Sequence, residues 1–294
     1  MRALSRRIET DGKADECFRL YPLGDVHVGA SGCDETMFAA TVAEIEADPC
    51  AYWVGMGDYI DAIRRNDPRF SIDELAEWVT VPDLRDLAAA QRARFLEMTR
   101  PIWPKCLALL SGNHEESVLR WDERDVYHEI VSAIKPETPH ENLTLGYTGF
   151  LRLTFGRLAG KTKRPPSTKL DVWTHHGHGG GRLEGAKALT MQRAMWAFDA
   201  DLHMMGNTHS KSVVPGAVVA LDRAGRVVNR TRLGVWTGTY MRTWDDNAPG
   251  YAEKRLYWAN ATGSPVVELR PWLRNGQARS HSGFAAPGSV RVLV

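Results

Sequence analysis

The stretch Tyr21-Pro22-Leu23-Gly24-Asp25-Val26-His27 decides how this chain is read, because an apolar run ends there in a glycine, a carboxylate and an imidazole. Side chains of an extended strand alternate with period two, so Asp25 and His27 are expected on one face, within reach of one cation. A lone Asp-x-His is most often an ordinary turn. Four further segments change the reading: Gly57-Asp58, Gly112-Asn113-His114-Glu115, His175-His176-Gly177-His178 and Gly206-Asn207-Thr208-His209. Each also closes a short apolar run.

Between these segments the chain alternates strand and helix signals. Residues 17–23 predict a buried strand, followed by a helix whose apolar positions Phe38, Val42 and Ile45 have helical spacing, with Asp34 or Thr36 as cap and Pro49 as stop. Residues 51–56 give a second strand, 84–99 a second amphipathic helix, 106–110 a central strand and 116–134 a further helix. A strand, a helix and a parallel strand form a right-handed crossover, and sites collect at the carboxyl ends of such strands. After Pro136 the texture turns to β: 150–155 and 170–174 alternate as strands, 189–198 reads as helix, and 201–205 as strand. Segments 212–221, 227–239 and 265–269 are strand-rich with Gly and Pro turns. Without internal repeats or an evident linker, residues 1–294 are expected to form one α/β domain, with two mixed sheets packed together and helices outside.

At 294 residues the chain is long enough to bury a full core. A net charge of +1 argues against a protein whose main business is gripping nucleic-acid backbone or an anionic membrane. Cys17, Cys33, Cys50 and Cys106 show neither close pairing nor zinc-type spacing, which predicts reduced thiols and a cytoplasmic location. The charged start of the chain lacks an apolar core behind it, so a signal peptide is not expected, and no apolar run reaches membrane-spanning length.

Paired divalent cations can orient and polarise a phosphate and turn water into hydroxide at neutral pH. Such a pair needs a carboxylate able to bridge, with imidazole, carboxylate and amide ligands divided between the ions. Asp58, alone after a glycine, suits the bridge; Asp25 and His27 suit one ion, and the Asn113 carbonyl oxygen suits the other.

The ordered set Asp-x-His, Gly-Asp, Gly-Asn-His-Glu, His, Gly-x-x-His resembles the calcineurin-like metallophosphoesterase superfamily from residue 25 to residue 209, with 179–182 and 251–253 similar to phage-type and bacterial members. The resemblance implies a four-layer α/β/β/α sandwich of two mixed sheets flanked by helices. In it the strand-rich part 210–294 would complete the second sheet. It also implies a dinuclear centre and phosphoester hydrolysis by a metal-bridging hydroxide. Carried over, Asp25, His27, Asp58 and His209 hold one ion, and Asp58, Asn113 and His176 hold the other. His114 contacts the phosphate and protonates the leaving oxygen, a role suited to imidazole. His176 is chosen over His175 because the His-Gly after it matches the motif. Asn207 stands where the family usually has His; its carbonyl can ligate but is less basic, which implies a weaker second site. Manganese is the favoured metal, with iron, zinc, magnesium and nickel as alternatives.

Arg182, after three glycines, is a candidate phosphate contact, with Lys187 as a possible helper. His128, His140 and His281 lie outside the motifs, and His203 reads as core. The favoured substrate is a small phosphodiester. A nuclease is the alternative, since 161–169 is basic and Trp is plentiful, although no basic and aromatic cluster of the kind that tracks a strand is evident. A non-catalytic scaffold on the same fold is the alternative of another class. Oligomeric state is not legible in the sequence.

Overall fold

A computed structural model describes residues 1–63, 67, 70–157, 167–179, 183–222, 224–244, 258–273 and 289–294. Its strands are β1 (Arg2–Thr10), β2 (Phe18–Leu23), β3 (Ala51–Gly55), β4 (Cys106–Leu110), β5 (Thr144–Gly146), β6 (Thr148–Arg157), β7 (Ser167–His175), β8 (Leu202–Met205), β9 (Lys211–Leu221), β10 (Val227–Thr237), β11 (Val266–Leu269) and β12 (Val290–Leu293). The helices are α1 (Glu35–Ala47), α2 (Leu87–Thr99), α3 (Asn113–Asp122), α4 (Val126–Ile134) and α5 (Glu184–Ala197). One sheet runs β12-β11-β2-β3-β4-β5 and the other β1-β6-β7-β8-β10-β9. Both are mixed: in the first, β2, β3, β4 and β5 pair parallel while β11 pairs antiparallel with β2 and with β12; in the second, β6 with β7 and β9 with β10 are antiparallel and the other pairs parallel.

Strand alternation builds three apolar layers. Tyr21, Leu23 and Trp53 face outward to Phe38, Val42, Phe95 and Ile130 of α1, α2 and α4. Leu20, Val54 and Met56 face inward to Leu153, Val172, Met204 and Val235 of the other sheet. Beyond that sheet, Trp173, Met205 and Trp236 pack on Met191 and Met195 of α5. The order helix, sheet, sheet, helix is the expected four-layer sandwich. It places the carboxyl ends of β2, β3 and β4 beside those of β7 and β8. Among the described residues, no helix is long and apolar enough to cross a membrane.

Several local expectations are corrected. The second helix begins at Leu87, not at residue 84, because the Asp86 carboxylate caps it by accepting the Ala89 N–H at 3.0 Å. The segment 116–134 is two helices: α3 ends at Glu123 with φ 53, and Asp125 caps α4 through the His128 N–H at 2.9 Å. Of the two cap candidates for α1, Asp34 does the work. Helix α5 begins at Glu184, five residues before the apolar periodicity suggested. The C-terminal part does not complete one sheet; β9 and β10 enter one and β11 and β12 the other. Strand β1 adds to the expected elements, with Leu4, Arg6, Ile8 and Thr10 alternating inward. Arg6 lies in that inward row because its guanidinium is taken up by the carbonyls of Leu107 and Asn142.

Candidate metal centre

Strand period does not place Asp25 and His27, because both lie in the loop after β2 with positive φ, 47° and 53°. Asp58, Asn207 and His209 share that left-handed conformation, at 51°, 65° and 52°. Asn, Asp and His tolerate it better than most residues, and such conformations persist where the surroundings over-determine them. Here the surroundings are backbone bonds. The N–H groups of Val26 and His27 both donate to the Asp58 carbonyl, at 2.9 and 3.1 Å, and the Asp25 N–H donates to the Gly57 carbonyl at 3.0 Å. From the far side the Thr239 hydroxyl and the Tyr240 N–H hold the Asp25 carbonyl, at 2.7 and 3.0 Å. Gly57, at φ 92°, is needed for close approach; a Cβ there would lie 2.7 Å from both Gly112 N and His176 Nδ1.

These loops bring together Asp25, His27, Asp58, Asn113, His114, His176 and His209. Three overlapping groups have ligand atoms within 4.8 Å of one another: Asp25, His27 and His209; Asp25, Asp58 and His176; His27, Asp58 and His114. His27 Nε2 and His209 Nε2 are 3.1 Å apart, and His209 Nε2 is 3.6 Å from Asp25 Oδ1. On the other side, His176 Nε2 is 3.3 Å from Asp58 Oδ2 and 3.0 Å from Asn113 Oδ1. His176 Nδ1 donates to the Met56 carbonyl at 2.7 Å, so Nε2, facing the cluster, is the nitrogen whose lone pair becomes available when the ring is neutral.

The donors fit a divalent metal. Two ligands bound at about 2.0–2.2 Å to one ion stand about 3.0–3.5 Å apart, the spacing seen around His176 and between His27 and His209. Asp25 Oδ2 accepts the Asn207 N–H at 2.8 Å, while Oδ1 is buried without a hydrogen-bond partner. A buried carboxylate oxygen without a hydrogen-bond partner, inside a ring of imidazoles, fits a cation ligand.

Electrostatics separate the two carboxylates. Burial lifts the Asp25 carboxyl to about 7, reinforced by Asp58 and opposed by His176. Asp58, equally desolvated, is instead driven far below the usual range by His176, His114 and His27. The reciprocal effect on His176, against its own desolvation, is a pKa raised to about 10. His209 is depressed to about 3 by burial and by His27. His114 overcomes its desolvation through Asp58 and Asp61, and its pKa is raised. Its Nδ1 meets the Asp61 carbonyl, so Nε2 faces the cluster, 4.0 Å from Asp58 Oδ2.

Other sequence candidates fall elsewhere. His175 accepts the Gly177 N–H at 2.7 Å through Nδ1 and packs by Trp173 and Tyr147, apart from the donor groups. His203 is buried and bonded to the Phe198 carbonyl, and His128 pairs with Asp125. The structure places the Asn207 backbone N–H on Asp25. Lys187 is held by Glu184 at 2.8 Å. Arg182, His281 and most of the basic loop lie outside the described residues, as do 251–253.

Two carboxylates, Glu115 within a motif and Asp61 three residues after Asp58, have roles that the sequence reading does not assign. Glu115, 1% exposed, accepts N–H groups from Asp58, Tyr59 and Gly112 at 3.0, 2.8 and 2.8 Å, lashing the Asp58 loop to the start of α3. Asp61 Oδ1 lies 3.6 Å from His27 Nδ1 and 3.9 Å from His114 Nδ1. Their spacing after Asp58 and Asn113 was the available signal. Tyr147, whose hydroxyl donates to the Gly177 carbonyl at 2.8 Å beside His176, carried no signal.

No protein-family model matches the chain, and no curated protein does. Among solved structures it is similar to a Streptococcus pneumoniae TIGR4 protein described as a predicted phosphoesterase, with 10% identity and TM-score 0.32 over 87% of this chain and 85% of that one. It is similar to a Sphaerobacter thermophilus metallophosphoesterase, with 13% identity and TM-score 0.33 over 86% and 84%. It is also similar to the Haemophilus influenzae NAD nucleotidase, with 9% identity and TM-score 0.36 over 87% of this chain but 48% of that one. At such scores the likenesses carry no weight for function, which rests on the side chains. Fold and site define a class: a double-sheet α/β sandwich with a buried carboxylate and imidazole cluster where the strands of both sheets end.

Proposed function

We propose that this chain is a metal-dependent phosphoric ester hydrolase of the calcineurin-like metallophosphoesterase superfamily, with a dinuclear centre and a small phosphodiester as favoured substrate. The observation that carries the reading is the set of three overlapping donor groups, two of them sharing Asp58, with His114 in one of these and His176 in the other. Asp25, His27, Asp58 and His209 would hold one divalent ion; Asp58, Asn113 and His176 the other, with the Asn207 carbonyl as an added neutral donor. Manganese is favoured. Bound there, divalent cations supply Lewis-acid polarisation of the ester and water of lowered pKa.

The chain's own residues supply the rest. The Asp61 carbonyl fixes His114 by Nδ1 and turns Nε2 toward the cluster, while Asp58 and Asp61 raise its pKa despite burial, which favours the protonated form. That proton, at Nε2, is delivered to the leaving oxygen. Glu115 and the left-handed turns hold the donors in place before substrate arrives. Arg182, outside the described residues, keeps its sequence-based assignment as a phosphate contact. The reading is tested by a manganese-supplemented screen of aryl monoesters, diesters and triesters, cyclic nucleotides and single-stranded DNA. Turnover of aryl diesters above the other classes is expected; no turnover of any ester in any divalent metal refutes the assignment.

A further inference from the structure

Helix α2 turns a glutamine inward. Gln91 is fully buried, one turn before Phe95, on the face that packs behind the Asp25 and Asp58 loops. Its Oε1 accepts the N–H of Ala62 at 2.8 Å. That bond sets the orientation of the amide and leaves Nε2 buried without a partner. Gly29, at φ 100°, makes the room: a Cβ there would lie 2.3 Å from Nε2. A side chain selected for packing alone would be apolar, since a buried amide with unmet donors costs stability. Departures of this kind from local rules are expected at functional sites.

The path from Gln91 to the centre is short. Ala62 itself has positive φ, 49°, and directly follows Asp61. The Asp61 N–H donates to the Val28 carbonyl at 3.1 Å, joining the two ligand loops. The Asp61 carbonyl meets His114 Nδ1. We propose that Gln91 is a positioning residue for proton delivery: by holding the Ala62 N–H it fixes the Asp61 carbonyl, and through it the direction of His114 Nε2. The inference rests on the phosphoester hydrolase reading above.

The test uses two diesters with manganese, bis(4-nitrophenyl) phosphate, whose leaving oxygen needs little protonation, and diphenyl phosphate, whose poorer leaving group depends on it. In Gln91→Met, which keeps length and loses the acceptor, kcat on diphenyl phosphate is expected to fall about tenfold more than on the nitrophenyl ester. Gln91→Glu, which keeps an acceptor oxygen, is expected to hold the wild-type ratio within about twofold. The ratio does not depend on the fraction of folded protein, and Gln91→Asn, with the acceptor withdrawn, substitutes if the Met variant does not fold. Equal losses on both esters, or a changed ratio in Gln91→Glu as well, overturn the inference while leaving the hydrolase reading intact. A wild-type protein that turns over neither ester overturns both.

Discussion

His27 and His209 stand 182 residues apart in the chain, yet their Nε2 atoms lie 3.1 Å apart, with Asp25 Oδ1 3.6 Å from the second of them. Two unprotonated imidazole nitrogens facing each other repel, so the arrangement is stable when a proton or a cation lies between them. The depressed pKa of His209, set by burial and by His27, disfavours protonation of His209 and keeps its lone pair open to a cation. His209→Ala is expected to remove one of two manganese ions titrated by calorimetry and to leave the other. Loss of neither ion contradicts the ligand role.

Metal binding is expected to expel protons. His176, raised to about 10 through Asp58, is charged in the metal-free protein at neutral pH, and Asp25, lifted to about 7 by burial, is partly protonated. A cation needs the lone pair and the carboxylate, so both protons leave on binding. Affinity should therefore rise with pH through the interval from about 7 to about 10. Both groups also make the stability of the metal-free protein depend on pH. His176 contributes fully below its unfolded pKa of about 6.5, and the contribution disappears as pH rises through about 10. Asp25 also favours the fold at low pH, and its contribution is lost as pH rises from about 4 to about 7. Calorimetry at about pH 8 in two buffers of different ionisation enthalpy counts the protons released; none released contradicts the expectation.

Glu115 has a structural task that a melting curve can read. Its removal in Glu115→Ala leaves the N–H groups of Asp58, Tyr59 and Gly112 buried and unpaired. A loss of about 3–5 kcal/mol is expected, lowering Tm by about 5 °C or more, with metal retention lost as the Asp58 loop loosens. Glu115→Gln, which keeps one acceptor oxygen, should fall between. A Tm within about 1 °C of wild type for the alanine variant rules this out.

Asn207 offers a gain of function. The left-handed φ of 65° suits His nearly as well as Asn, and imidazole is the more basic ligand. Asn207→His is expected to tighten the weaker manganese site about tenfold or more in a titration. An unchanged affinity removes Asn207 from the ligand set.

The layer order and the convergence of the donor-bearing segments were legible because short apolar runs end beside a glycine and a candidate donor, and that punctuation survives in one dimension. What escaped was set by tertiary context. Strand β1 hid because Arg6 occupies an inward position, satisfied by carbonyls of Leu107 and Asn142 that only the fold supplies. The break between α3 and α4 turns on Glu123 adopting φ 53°, which its residue type does not announce. Strand alternation is not what groups Asp25 with His27; left-handed backbone at both positions, held by the Gly57 and Asp58 carbonyls, does the grouping. What Gln91 does is not legible in the sequence, because the N–H it accepts, that of Ala62, lies in another loop.

The decisive measurement is hydrolysis of bis(4-nitrophenyl) phosphate by chelator-treated protein before and after manganese is restored, with Asp58→Asn in parallel. Wild-type turnover should vanish on chelation and return with manganese, while Asp58→Asn stays more than about a hundredfold slower. Turnover that persists without metal, or an Asp58→Asn rate equal to wild type, contradicts a centre in which Asp58 joins two ions.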